Sequence, residues 1–185
     1  DGQPGFFRFR SNRIVLIDKC PVATELLNIG LQGLRASPLP KSLAGVIREI
    51  DLLHSQADGR IHALLLPDPG KQFDRRLLAD YASTVAGVHA VWFRSKAGIE
   101  RLAGDSGPDL LRQDFAQEVC GHAFSLRWPP GCFSQVNAGQ NVSLLSLVLR
   151  LAGTIAGIRV LDLFCGMGNF SVPLALGGAR VTGVE

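Results

Sequence analysis

The sequence predicts an α/β protein in two parts. Residues 1–128 read as an α+β domain with a mostly antiparallel sheet, and residues 129–185 as the start of a parallel, doubly wound layer. Three observations carry this. Up to Trp128 strand-like and helix-like segments alternate irregularly, with one strong hairpin turn. Pro129-Pro130-Gly131 then breaks the composition. After the break comes helix, strand, glycine-rich turn, helix and strand, the order of a βαβ unit.

Each element has its own signal. Phe7 and Phe9 alternate with Arg8 and Arg10, and after Arg13 the run Ile14 to Ile17 is apolar and mostly β-branched, so Phe6 to Ile17 reads as one or two strands. A helical stretch is expected from Cys20-Pro21, with Leu26, Leu27, Leu31 and Leu34 at helical spacing and Ser37-Pro38 as the stop. Val46 to Leu53 and Arg60 to Leu66 form a hairpin through Gln56-Ala57-Asp58-Gly59, since Asp-Gly supplies positive φ. Phe73 to Val85 is an amphipathic helix with Leu77, Leu78 and Tyr81 inward, and His89 to Phe93 a strand. Ser95 to Asp114, weakly patterned and rich in glycine, reads as loop with a short helix at most. Glu118 to Trp128 suggests a last pair of strands or one bent strand. Beyond the break, Gln140 to Leu151 is a helix with Val142, Leu145 and Leu149 on one face. Arg159 to Phe164 is a buried strand, Gly168 to Leu176 opens a helix, and Arg180 to Glu185 is a second strand.

Composition narrows the class. Of 185 residues, 46% are hydrophobic and 19% charged, which favours a packed core over disorder. No apolar run approaches the ~20 residues of a membrane span, and no apolar signal segment stands at the start, so no membrane partner is expected. The net charge of +3 is compatible with nucleic acid without requiring it. Cys20, Cys120, Cys132 and Cys165 match no zinc spacing and no compact disulfide framework, so reduced thiols in the cytoplasm are expected. The chain begins at Asp1 without a methionine and stops at Glu185 directly after a strand; the expectation is a fragment of a longer protein.

The richest stretch is Val160 to Phe170, where an apolar strand runs into Gly166-Met167-Gly168 and then a helix. Glycines allow a sharp turn and close approach of a ligand, and a helix N-terminus offers free N–H groups. The third glycine of a dinucleotide fingerprint is missing, since Ser171 or Val172 stands near its place. Glu185 ends the next strand, where a carboxylate can accept hydrogen bonds from ribose hydroxyls. The pattern describes a nucleoside-type cofactor site. An ordinary strand-to-helix turn with an incidental acid is the competing reading.

Asp162 to Phe170 closely resembles motif I of the RNA uracil-5-methyltransferases, and Phe133-Ser134-Gln135-Val136-Asn137 with Asn141 resembles that family's second signature, in the same order. The resemblance is tightest from Phe133 to Glu185 and continues back to about Phe6. It implies a Rossmann-like domain and S-adenosylmethionine as cofactor. It places Gln135, Phe164, Gly166, Asn169 and Glu185 against that cofactor, with Gly168 permitting close approach and Asp162 supporting either the turn or the cofactor's methionine amino group. On the residues alone, Gln135 and Asn137 read instead as helix-cap and loop residues. The family's chemistry adds a cysteine thiolate to uracil C6, methylates C5 and removes the C5 proton with a base. Both groups lie downstream of Glu185 by resemblance, so no catalytic residue is expected in this chain, and the 185 residues alone are expected to be inactive.

Arg13 to Val22, with Cys20-Pro21, resembles the place where iron–sulfur members carry the fourth ligand of a [4Fe–4S] cluster. Cys20 is therefore the candidate metal ligand; as a lone cysteine it also reads as a small buried residue. That landmark, Val136 and Met167 together resemble the enzymes of 23S ribosomal RNA, with transfer RNA enzymes and a non-catalytic RNA-binding remnant as alternatives. Arg8, Arg10, Arg13 and Lys19 among Phe6, Phe7 and Phe9 read either as an RNA-contacting segment or as a strand with its phenylalanines in the core. No protein partner is implied.

Overall fold

A computed structural model describes residues 2–185. The chain forms two compact units, residues 1–111 and 112–185, and the division falls after the first residue of the strand Leu111–Phe115, β7.

The first unit opens with a short antiparallel pair, β1 (Phe6–Phe7) and β2 (Ile14–Val15). Helix α1 spans Glu25–Ala36, later than Cys20-Pro21 suggested. The reason is Thr24, whose side chain accepts from the Leu27 N–H and so sets the N-cap. A four-residue turn of helix, α2 (Lys41–Ala44), follows; its single turn carries no periodic signal. The main sheet has order β3-β4-β5-β6, from β3 (Ile47–Ser55), β4 (Arg60–Pro67), β5 (Ala90–Ser95) and β6 (Gly98–Gly104). β3 with β4 and β5 with β6 are antiparallel; β4 and β5 are parallel, joined by α3 (Arg75–Thr84). Leu34 of α1 and Leu78, Tyr81 and Ala82 of α3 pack with Ala63, Leu65, Val91 and Phe93 of the sheet. Gly33 is required there: a Cβ on it would lie 1.7 Å from the Ala86 carbonyl oxygen.

The region 95–114 is not a loop. It contains β6 and the start of β7 (Leu111–Phe115). Charged residues interrupt the apolar alternation of β6 and hid it: Glu100 pairs with Arg75, and the Arg101 guanidinium donates to Asp109 at 2.5 Å.

The second unit holds the pair β7 and β8 (Phe124–Trp128), then α4 (Ala138–Ala152), β9 (Arg159–Leu163), α5 (Ser171–Leu176) and β10 (Arg180–Val184). The β7–β8 pair thus clusters with this unit. β9 and β10 are parallel and in register from Arg159 and Arg180 to Leu163 and Val184. With α5 between them they make one βαβ unit, packed through Ile155, Leu174 and Ala179. β9 was expected to be buried, yet Leu161 and Leu163 are exposed. It hydrogen-bonds to one strand only among the described residues. No helix of the described residues is long and apolar enough to cross a membrane.

Candidate functional site

The C-terminal end of β9 runs into a strained turn. Phe164 adopts φ 60°, a left-handed conformation that costs a residue with a Cβ on the order of 1–2 kcal/mol. Its ring is 90% exposed, so packing does not explain the strain. Gly166 and Gly168 are also left-handed, at φ 53° and 88°. A Cβ on Gly166 would meet nothing within 4 Å, so its glycine is demanded by backbone conformation and not by crowding. The Gly168 N–H donates to the Cys165 carbonyl at 2.8 Å, closing the turn.

Glu185 follows the last residue of β10, and its Oε2 accepts from the Gly166 N–H at 2.7 Å. The parallel register carries this carboxylate to the lip of the glycine turn, because Val184 pairs with Leu163. Asp162 lies on β9 and accepts from the Ser171 hydroxyl at 2.6 Å, tying the strand to the first residue of α5. Helix α5 begins at Ser171, later than Gly168, and has only six residues with no side-chain cap. The turn, not the helix terminus, is therefore the feature that presents backbone groups.

Asn169 closes the turn from inside. It is 9% exposed and exchanges two amide hydrogen bonds, each 2.9 Å, with Asn141 of α4. Asn137 caps α4 by accepting from the Gln140 N–H at 3.0 Å, which places Asn141 one turn inside the helix. Gln135 is half-buried in the loop before that cap, whereas Phe133 and Val136 are exposed. The structure thus brings Phe164, Gly166, Asn169 and Glu185 into one turn at the ends of two parallel strands. Sequence reading missed the Asn141–Asn169 pair; its only trace is the spacing of Asn137 and Asn141. A groove of about 270 Å³ in the same unit, lined by Leu149, Ile155 and Gly177, includes none of the glycine-turn residues.

In the first unit, Cys20 is held by its backbone. Its N–H donates to the Asn28 Oδ1 at 2.7 Å, and its carbonyl accepts from the Asn28 Nδ2 at 3.1 Å. Asn28 is itself buried in α1, and Arg35 of α1 donates to the Ile17 carbonyl at 2.7 Å. The loop that presents this half-buried thiol is pinned to α1 at both points. No group of three or more His, Cys, Asp or Glu able to hold a metal occurs among the described residues. One sulfur on a pinned loop fits a single ligand to a group whose other ligands lie elsewhere.

The β1–β2 hairpin does not bury its aromatics. Phe6, Phe7 and Phe9 are all exposed, Phe9 at 84%, and the Arg10 guanidinium lies 5.1 Å from the Phe9 ring centroid. Phenylalanines in the core, one of the two readings of this segment, are ruled out within the unit.

Comparison with known proteins agrees with the geometry. The sequence model of a family described as tRNA (uracil-5-)-methyltransferase matches residues 7–185. The 23S rRNA (uracil(1939)-C(5))-methyltransferase RlmD of Aeromonas salmonicida is 35% identical over 98% of this chain and 39% of its own length. The protein of the same name from Shewanella frigidimarina is 34% identical over 99% of the chain and 40% of its length. The chain therefore spans about two fifths of the curated relatives it matches. A crystal structure of a tRNA (uracil-54, C5)-methyltransferase from Pyrococcus abyssi, in complex with S-adenosyl-L-homocysteine, superposes with a TM-score of 0.61. It is 21% identical over 96% of this chain and 44% of that one, a likeness of fold.

Proposed function

Because this chain belongs to the tRNA (uracil-5-)-methyltransferase family, we propose that the whole protein methylates carbon 5 of a uracil in 23S ribosomal RNA, with S-adenosylmethionine as donor. The observation that carries this is the strained turn at the ends of β9 and β10, where Glu185 and the exposed Phe164 flank Gly166.

The roles follow from the donor set. Bound S-adenosylmethionine supplies an electrophilic methyl group. Glu185 uses one oxygen on the Gly166 N–H and has a second to accept a ribose hydroxyl. The Phe164 ring offers an apolar face to the adenine, and covering it would recover the hydrophobic burial that the exposed ring forgoes. Asn169 and Gln135 supply amide donors and acceptors, and Gly166 lets the ligand approach the backbone. No residue of this chain is assigned as nucleophile or base; by resemblance those groups belong to another part of the protein. The chain's own residues would bind and orient the donor.

Two further assignments rest on the same reading. Cys20 supplies one ligand of a [4Fe–4S] cluster, supported by the pinned Cys20-Pro21 loop. Arg8 and Arg10, beside exposed Phe9, contact the RNA, as basic and aromatic side chains do with unpaired nucleotides. Action on ribosomal RNA, with four free thiols, also fits a cytoplasmic location.

The deciding experiment gives the whole protein labelled S-adenosylmethionine and either 23S rRNA or transfer RNA. Label at uracil C5 of 23S rRNA is expected. Label on transfer RNA alone would move the assignment to the alternative substrate, and binding without transfer on either would support an RNA-binding remnant. In the same protein Glu185→Gln should weaken S-adenosyl-L-homocysteine about 10- to 100-fold, the scale of one charged hydrogen bond. Arg8→Ala with Arg10→Ala should weaken RNA binding and lower its salt slope; an unchanged slope would remove them from the RNA surface.

A further inference from the structure

We propose that Asn141 is the positioning residue of the cofactor site: through its paired amide it sets the orientation of Asn169, and with it the ligand-facing geometry of the glycine turn. This rests on the cofactor reading above and extends it to a residue on another element.

The two side chains face each other as complete partners. Asn141 Nδ2 donates to Asn169 Oδ1 and Asn169 Nδ2 donates to Asn141 Oδ1, both at 2.9 Å. Turning either amide over would set oxygen against oxygen and nitrogen against nitrogen, so each one dictates the other's orientation. Asn141 is 2% exposed and has no water to fall back on. Each amide has two N–H donors and an oxygen with two lone pairs. The pair consumes one donor and one acceptor position of each. Asn169 keeps a second N–H and a second lone pair, whose directions Asn141 has fixed.

The anchoring behind Asn141 is firm. Its backbone N–H donates to the Asn137 carbonyl at 2.9 Å, inside the first turn of a 15-residue helix whose cap is satisfied. The residue before Asn169 is left-handed Gly168, and its carbonyl accepts from the Val172 N–H at 3.0 Å. Left-handed Phe164, Gly166 and Gly168 alternate with ordinary residues along this turn, and the Asn141 amide is the clamp from another element that holds Asn169 before a ligand arrives. A plain core position would not need this. One turn further along α4, the fully buried Leu145 fills its place with no polar group at all. Burial of an amide at Asn141 is tolerable only because Asn169 answers it.

The test uses the whole protein and S-adenosyl-L-homocysteine by calorimetry, with melting followed in parallel. Asn141→Leu keeps the bulk and removes both bonds. It should weaken the ligand about tenfold, the scale of one net hydrogen bond, while the free protein still melts cooperatively. In an Asn169→Ala background the same change should alter affinity less than about twofold, because contacts that act through one another do not add. Parental affinity in a cooperatively folded Asn141→Leu protein overturns the proposal, and so does an equal weakening in both backgrounds. Should Asn141→Leu not fold, Asn141→Asp keeps the shape and the acceptor but loses the donor to Asn169. It should also weaken the ligand, and parental binding by it overturns the proposal. A parent protein that does not bind the ligand at all would overturn the cofactor reading and this one with it, an outcome distinct from parental affinity in the variants.

Discussion

Strands β4 and β9 carry similar apolar sequences and have opposite fates. β4, Arg60 to Pro67, hydrogen-bonds to a strand on either side, and Ile61 to Leu65 are buried without a break. β9, Arg159 to Leu163, pairs with β10 alone among the described residues, and Leu161 is 61% exposed. Apolar content therefore measures what a strand can bury, while its neighbours decide what it does bury. The contrast extends to chemistry. The sheet around β4 is saturated with packing, whereas the turn after β9 stores strain at Phe164, leaves its ring in solvent and points a carboxylate at a backbone N–H. One strand belongs to a support and the other to a rim that a ligand can reach.

The largest test of this contrast compares the same change in both strands of the 185-residue chain. Leu65→Ala removes a fully buried side chain and should cost about 2–5 kcal/mol in chemical denaturation. Leu161→Ala should fall within about 0.5 kcal/mol, as exposed substitutions do. Comparable losses would mean that Leu161 is packed in solution and would erase the distinction.

Acid should divide the two regions next. His62 of β4 is buried; its Nδ1 accepts from the Trp92 indole N–H at 3.1 Å, and its Nε2 meets no partner among the described residues. Burial first, and the nearby Arg60 charge second, hold its imidazole down to about 4. The unfolded chain takes up that proton near 6.5, so the unfolded state binds more protons between the two values. Stability from His62 is fully present above about pH 6.5 and is lost as pH falls toward 4, by on the order of 2–3 kcal/mol. Burial lowers His54 in the same direction. The one histidine of the second unit, His122, is exposed. Denaturation midpoints of the first unit should therefore fall across this window, and His62→Gln, which keeps an acceptor for Trp92, should flatten the curve. A curve as steep in the variant would place the proton elsewhere.

The same contrast explains what could be read in advance. The β3–β4 hairpin was legible because Asp58-Gly59 names its own turn, and α3 because Leu77, Leu78 and Tyr81 recur at helical spacing. The glycine turn and Glu185 were legible as local chemistry at the ends of strands. β6 was not, because its charged residues serve partners far along the chain, Arg75 among them. The start of α1 was misplaced because Cys20-Pro21 outweighed the smaller cap at Thr24. Asn28 clamping Cys20 left no sequence signal beyond an asparagine on a helix, and Asn141 showed only as a member of the second signature without its partner Asn169, since each acts through a contact that only the fold creates. The exposure of β9 was unreadable for the reason given above: a strand's sequence does not state how many neighbours it has.

A small effect on stability can also make the sharpest separation of the two regions. Phe164→Gly relieves a left-handed residue, a gain of about 1–2 kcal/mol, and adds backbone freedom to the unfolded chain, a loss of about 0.5–1 kcal/mol. The exposed ring contributes little packing to offset either. Stability should therefore rise by no more than about 1.5 kcal/mol. Affinity of the whole protein for S-adenosyl-L-homocysteine should fall about tenfold, since the apolar face proposed to meet the adenine is gone. A protein that is as stable or more stable and binds less well would identify the Phe164 strain as serving the ligand. A large loss of stability would instead place Phe164 with the packed residues of β4, on the supporting side of the comparison.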